Sequence, residues 1–173
     1  MNGSQERWIS KAYGNPLLRD KIVNAGMITL YCDYSGFVDR SRYSVACCYV
    51  HDRFIGISAK RLRMDVDADS NYGELLAVLY SLEILDKWLS DIDNKPKIAV
   101  VYTDCSRIER ILGKSESPRP HYARSRNEII IALNRLRDNY PGVSVRVRYI
   151  SKHKSNNELH RLAHNAAREA AME

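Results

Sequence analysis

"KIAVVYTD", residues 97–104, is the stretch whose reading decides the fold. It is an almost wholly apolar run of strand length that ends on a carboxylate. A strand that is apolar on both faces is covered on both faces, as parallel strands are when helices flank the sheet. Just upstream, "NYGELLAVLYSLEILDKWLSDI" (71–92) reads as a long helix. Leu75, Leu76, Leu79, Leu82 and Leu85 give it an apolar face, with Val78 and Trp88 alongside. Further upstream, "MITLYCDYS" (27–35) alternates as a strand, and "RYSVACCYVHD" (42–52) and "RFIGISAKRLR" (53–63) read as two more. A turn at His51-Asp52-Arg53 makes these an antiparallel meander. Downstream, "CSRIERILGK" (105–114) is a short helix ended by Gly113. A loop, "SESPRPHYARSR" (115–126), leads to a helix over 127–140 that Pro141-Gly142 stops. A half-buried strand (143–150) and an Ala-rich helix from about Asn156 to Glu173 complete the chain.

The order is βββαβαβα with one extra helix. The expected fold class is α/β: a five-stranded mixed sheet, three antiparallel strands then parallel ones, with helices on both faces.

A chain of 173 residues forms one domain with a proper core. The formal net charge of +6 gives a weak pointer to a polyanionic partner. The four cysteines, Cys32, Cys47, Cys48 and Cys105, include no C-x-x-C pair. They read as reduced, buried thiols of a cytoplasmic protein. No apolar run is long enough to span a membrane, and no signal-peptide pattern is present. Residues 1–26 are polar with scattered apolar positions, an extension that reads as a flexible arm or a short capping helix before the main domain at 27–173.

Three carboxylates stand out. Asp33 lies near the end of the first strand, Glu74 in the first turn of the long helix, and Asp104 at the carboxyl end of the fourth strand. Each interrupts or borders an apolar stretch, where an unpaired carboxylate is costly. Convergence at one sheet edge would let them bind hard divalent cations through oxygen. Each also has a structural reading. Asp33 could form a turn before Ser35-Gly36. Glu74 could favour the helix dipole behind a Ser70 or Asn71 cap. Asp104 could cap the following helix. Taken together, those readings account for the pattern less well than a shared site. "DVDAD" (65–69) lacks the glycine and distal glutamate of an EF-hand loop and reads as an exposed acidic loop.

The pattern resembles the ribonuclease H family, type 1 branch, over roughly residues 27–171. "ITLYCDYSG" looks like its first-strand motif, and "SNYGELLAVLYSLEIL" is similar to its Asn-x-x-Glu-Leu-x-Ala helix start, with Asn71 and Glu74 on the Asn and Glu. "VVYTDCSRIERIL" resembles the Thr-Asp-Ser strand end, and "YISKHKSNNELHRLAHNAA" the closing segment. There His153 matches the loop histidine, Asn156 the asparagine, and Leu162-Ala163 the Leu-Ala. One departure is plain: His160 stands where the family usually has its fourth carboxylate. Glu158, two residues away, points elsewhere around the helix and cannot easily substitute.

The resemblance implies a metal-dependent endoribonuclease that hydrolyses the RNA strand of an RNA–DNA hybrid with two Mg2+ or Mn2+ ions. It implies that Asp33 bridges both ions, that Glu74 and Asp104 hold one, and that His160 helps hold the other. His153 would assist proton transfer or product release. Ser70, Asn71, Ser106 and Asn156 would contact the hybrid. The "RPHYARSR" stretch, with Arg119, Arg124 and Arg126, falls where some family members carry a basic protrusion. Imidazole at position 160 predicts a preference for Mn2+. The expected state is a monomer. His160 and His164, four apart, could instead clamp zinc; on the resemblance, His164 is an ordinary polar-face residue outside the carboxylate cluster. Two other readings stand beside this one. The chain could be a binding module damaged at His160, or another nuclease on the same fold. A proofreading exonuclease would show Asp-x-Glu where this chain has Asp33-Tyr34-Ser35.

Overall fold

A computed structural model describes residues 2–64, 69–113 and 120–173, without the side chains of Lys152 and His153. Two helices, α1 (Gly3–Gly14) and α2 (Pro16–Val23), precede the meander β1 (Met27–Phe37), β2 (Arg42–His51) and β3 (Phe54–Leu62). Helix α3 (Ser70–Asp91) leads to β4 (Ile98–Thr103), then α4 (Ile108–Gly113), α5 (Pro120–Asn139), β5 (Ser144–Tyr149) and α6 (Glu158–Met172). The sheet order is β3-β2-β1-β4-β5. The first three strands pair antiparallel, while β4 pairs parallel to both β1 and β5. This is the expected mixed sheet with both faces covered.

Strand alternation assigns the two faces. Ile28, Leu30 and Cys32 of β1 join Leu75, Val78, Leu82 and Leu85 of α3 and Ile129 of α5 in the larger core. Tyr31 of β1 and Cys48 and Val50 of β2 face the other way, into a second core with Leu159, Leu162 and Ala163 of α6. Asp33 shares parity with Tyr31, so β1 aims it at the α6 side. Helix α6 lies close to the sheet because Ala163, Ala166, Ala167 and Ala171 occupy its buried stripe. The Ser44 hydroxyl donates to the Ala167 carbonyl, and Arg42 donates to the Met172 carbonyl at 2.6 Å. These contacts pin α6 across β2. The four cysteines are free and buried; burial pushes the Cys47 thiol up to about 12, which keeps it inert.

Asp52 and Arg53 have φ of 46° and 69°, and His51 pairs with Phe54. Positive φ at both central residues is the type I′ geometry that matches the strand twist. The expected turn is therefore a two-residue hairpin.

Two expectations are corrected here, while residues 1–26 take the helical one of their two readings: Ala12, Leu18 and Ile22 are buried in the α6-side core. Asn15 ends α1 and, with Pro16 at the first helical position, starts α2 by accepting from Leu17 N at 3.2 Å. The stretch read as a loop up to Arg126 is helical from Pro120. Proline suits a first helical turn, where its missing N–H has no partner to lose. Tyr122 then anchors that turn by burying its ring and donating its hydroxyl to Asp69. Finally, Asp69 caps α3, rather than Ser70 or Asn71, its carboxylate accepting from Tyr72 N at 2.9 Å. Residues 65–68 of the acidic stretch lie outside the described residues.

Candidate active site

Four elements meet at the end of the sheet where β1 and β4 part. β1 supplies Asp33 and the turn after β4 supplies Asp104. That turn is shaped by Cys105 N donating to Thr103 Oγ1 at 3.1 Å. The second turn of α3 supplies Glu74. It comes close because residue 73 is glycine: a Cβ there would lie 2.4 Å from the Tyr34 ring, immediately after Asp33. Gly73→Ala should therefore cost about 1–3 kcal/mol of stability through overpacking. It should also lift Glu74 away from Asp33 and lower the denaturation midpoint; a melt unchanged within error would contradict this packing.

Helix α6 brings His160, capped locally by the Asn157 side chain, which accepts from His160 N at 3.0 Å. His160 Nε2 lies 3.4 Å from Asp104 Oδ1 and 4.0 Å from Asp33 Oδ1. Asp33, Asp104 and His160 each place one potential ligand atom within 4.8 Å of the others. Glu74 faces the charges of Asp33 and Asp104 but is not among the residues whose ligand atoms meet within that distance. Burial pushes its carboxyl well above the usual range, and the charges of Asp33 and Asp104 push it further, with the Tyr34 backbone offsetting a part. Among the described residues, Glu74 Oε2 is buried without a hydrogen-bond partner, and such an atom costs about 1–3 kcal/mol. Asp104 Oδ1 and His160 Nε2 are buried facing each other at 3.4 Å. Carboxylates and an imidazole so placed fit a divalent cation.

Two residues that the sequence reading missed complete the site. His164 was expected outside the cluster. Its Nδ1 instead lies 2.7 Å from Asp33 Oδ2. The i, i+4 spacing puts it on the face of His160, and β1 presents Asp33 to that face, so both rings meet one carboxylate. With Nδ1 engaged by Asp33, Nε2 is the His164 nitrogen left to a metal. Lys154 holds Asp104 Oδ2 at 2.7 Å. Burial alone would raise Asp104, but the His160 ring and the Lys154 ammonium outweigh it and bring the carboxyl down to about 2. The only sequence signal for His164 was the spacing itself. Lys154, in a polar run of the 3₁₀ turn Ser151–Asn156, carried none.

The remaining predicted residues are spread around this cluster. Ser70 and Asn71 sit on the α3 turn before Glu74, Ser70 exposed and Asn71 half-buried. Ser106 is exposed in the turn after Asp104, and Asn156 is exposed at the end of the 3₁₀ turn. His153 lies on that turn, its side chain outside the description. Arg124 is exposed and Arg126 half-buried on α5; Arg119 lies outside the described residues. Glu158, as expected, points away: its Oε2 accepts from Asn15 Nδ2 at 3.4 Å.

No protein-family model and no curated protein sequence matches the chain. Solved structures do. A ribonuclease H1 from the archaeon Halobacterium salinarum superposes with a TM-score of 0.61 at 17% identity, covering 84% of this chain and 97% of that one. The N-terminal ribonuclease H domain of a Mycobacterium tuberculosis protein gives 0.58 at 13% identity, covering 84% and 98%. A ribonuclease H1 isolated from compost, solved in complex with an RNA/DNA hybrid, gives 0.61 at 15% identity, covering 84% and 96%.

Proposed function

From the ribonuclease H fold of this chain, we propose that it is a divalent-metal-dependent endonuclease cutting the RNA strand of RNA–DNA hybrids. The observation that carries the reading is the meeting of Asp33, Asp104 and His160 at one sheet end, with the buried Glu74 carboxylate facing the charges of both aspartates. The fold neighbour solved with a hybrid supports the choice of substrate. Residues 27–173 are the nuclease unit, to which α1 and α2 are added. Free buried thiols suit a reducing compartment, and we place the protein in the cytoplasm as a monomer. Among the described residues no helix is long and apolar enough to cross a membrane.

Asp33, Glu74, Asp104 and His160 would hold the metal, as two ions of Mg2+ or Mn2+ with Mn2+ preferred. When bound, the metal supplies Lewis-acid stabilisation of the phosphoryl oxygens and a water activated near neutral pH. The chain's own groups orient the rest. His164 fixes one oxygen of Asp33, leaving the other toward His160. Lys154 fixes one oxygen of Asp104 in the same way and adds a positive charge beside the position of a bound phosphate. Ser70, Asn71, Ser106 and Asn156 lie close enough in the chain to the cluster to contact the strand, where a 2′-hydroxyl distinguishes RNA from DNA. His153 is assigned proton transfer or product release.

The test is cleavage of labelled RNA–DNA hybrid, duplex DNA and duplex RNA, with Mg2+ and Mn2+ in parallel. Cleavage confined to the hybrid RNA strand is expected. Binding without cleavage in either metal would instead favour a binding module, a reading that the replaced fourth carboxylate and the Lys154 and His164 contacts specifically allow. A second experiment concerns the basic residues before and within α5. Changing Arg119, Arg124 and Arg126 to Ala should weaken hybrid binding and lower the log–log salt slope by about one per lost phosphate contact. An unchanged slope would mean that these side chains face only water.

A further inference from the structure

A cavity of about 360 Å3 opens beside the carboxylates, on the α6 side. Ser151, Lys154, Ser155, His160, Arg161 and His164 line it. None of the six is acidic, and two, Arg161 and Lys154, are basic. The two histidines belong to both walls, so the cavity is continuous with the metal-fitting cluster yet chemically its opposite. The nuclease reading leaves Arg161, Ser151 and Ser155 unused.

Helix α1 stands behind one lining residue, Arg161. The Arg161 guanidinium lies 5.7 Å from the centroid of the Trp8 ring of α1, a cation–π distance. Helix α1 is in turn tied to the rim: Asn15 Nδ2 donates to the Asn156 carbonyl at 3.5 Å and to Glu158 Oε2 at 3.4 Å. These contacts link residues outside the main domain to the chain on both sides of Asn157. Ser151 enters the turn with φ of 62°, a left-handed conformation that a serine adopts only where its surroundings hold it. A guanidinium fork, two hydroxyls and an ammonium that also holds Asp104 offer several donors around one hollow, a composition that binds a tetrahedral oxyanion.

We propose that this cavity is a phosphate subsite. It takes a phosphodiester of the nucleic-acid strand next to the scissile one, through Arg161 and Lys154 with the hydroxyls of Ser151 and Ser155, and Trp8 of α1 is the positioning residue for Arg161. The nucleic-acid origin of the phosphate rests on the nuclease reading; the affinity for phosphate does not. The subsite gives residues 1–26 a role in substrate placement.

The experiment uses the full chain, metal-free, with inorganic phosphate as probe against chloride at matched ionic strength. Phosphate should raise the melting temperature of the wild type in a saturable way. Arg161→Gln should weaken its apparent affinity at least tenfold, and Trp8→Ala severalfold, whereas Arg135→Gln, at an exposed position of α5, should match the wild type. In metal-free hybrid binding, Arg161→Gln should also lower the salt slope by about one. No saturable phosphate effect, or an equal effect in Arg161→Gln, overturns the subsite. Phosphate binding lost in Arg161→Gln with an unchanged hybrid slope overturns its assignment to the strand. If phosphate binding behaves as expected but no metal supports hybrid cleavage, the nuclease reading fails while the anion site stands.

Discussion

Asp33→Asn and Asp104→Asn should each lower hybrid cleavage by roughly three orders of magnitude or more, equivalent to a barrier about 4 kcal/mol higher. Both side chains supply a potential ligand atom to the same small volume, and an amide in place of a carboxylate removes the negative charge that a hard cation needs. The stability effects should differ among the acids. Without structural partners, removing one of several clustered like charges would be neutral or stabilising in metal-free protein. The contacts change that for two of the three. Asp33 meets His164, and Asp104 meets Lys154, so each is compensated. Only Glu74 is left with burial and two like charges. Glu74→Gln should therefore abolish cleavage yet raise the metal-free melting temperature, while Asp104→Asn lowers it by stranding Lys154.

The pH dependence carries the same opposition. Asp104 is brought down to about 2, below the ordinary value near 4. Its contribution is fully present above the unfolded value and disappears as pH falls from about 4 toward 2. Glu74 is raised, so the folded protein binds its proton more tightly than the unfolded chain does. That contribution is present on the acid side and disappears as pH rises past the unfolded value through the higher folded one. Melts of the metal-free wild type, Glu74→Gln and Asp104→Asn from acid to neutral pH separate the two. Full cleavage by either Asp variant, or a higher melting temperature for Asp104→Asn at neutral pH, would refute this assignment of charges.

Local pattern made much of this architecture readable. The apolar run of β4 and the leucine face of α3 required burial on both sides, and each carboxylate was conspicuous because it broke or bordered an apolar stretch. What escaped depended on how elements cross. The phase of α6 put His160 and His164 on one face, but only the seating of its alanine stripe on β1 and β2 decides that both rings reach Asp33. Lys154 was invisible because a lysine in a polar turn looks solvated until the turn folds back over β4. Pro118 and Pro120 looked like punctuation, yet Pro120 begins a helix whose anchor, Tyr122, bonds Asp69, a residue far off in sequence. The N-terminal helices have too few apolar positions to announce a buried face. Ala12, Leu18 and Ile22 are nonetheless enough to dock them, because α6 and β2 supply the rest of that core.

His160→Asp should shift the metal requirement from Mn2+ toward Mg2+. A neutral imidazole offers nitrogen and no negative charge, and Mg2+ is held chiefly by carboxylates and water, whereas Mn2+ accepts imidazole more readily. Restoring a carboxylate at this buried position should strengthen Mg2+-supported cleavage and reduce the Mn2+ advantage. His164→Ala tests a different contact. Had His164 lain outside the cluster, the change would do little. Since its Nδ1 lies 2.7 Å from Asp33 Oδ2, the variant should lose the group that orients this carboxylate, and metal affinity should fall about 10–100-fold. Calorimetric titration of Mn2+ into wild type and both variants reads affinity directly, and rate against metal concentration reads its consequence. If His164→Ala binds Mn2+ like the wild type, the contact with Asp33 is not used to hold metal. If stoichiometric zinc instead remains bound and requires both histidines, the i, i+4 pair is the true metal site. The carboxylates would then be its supporting ligands, and the preference for Mn2+ over Mg2+ would lose its physical basis.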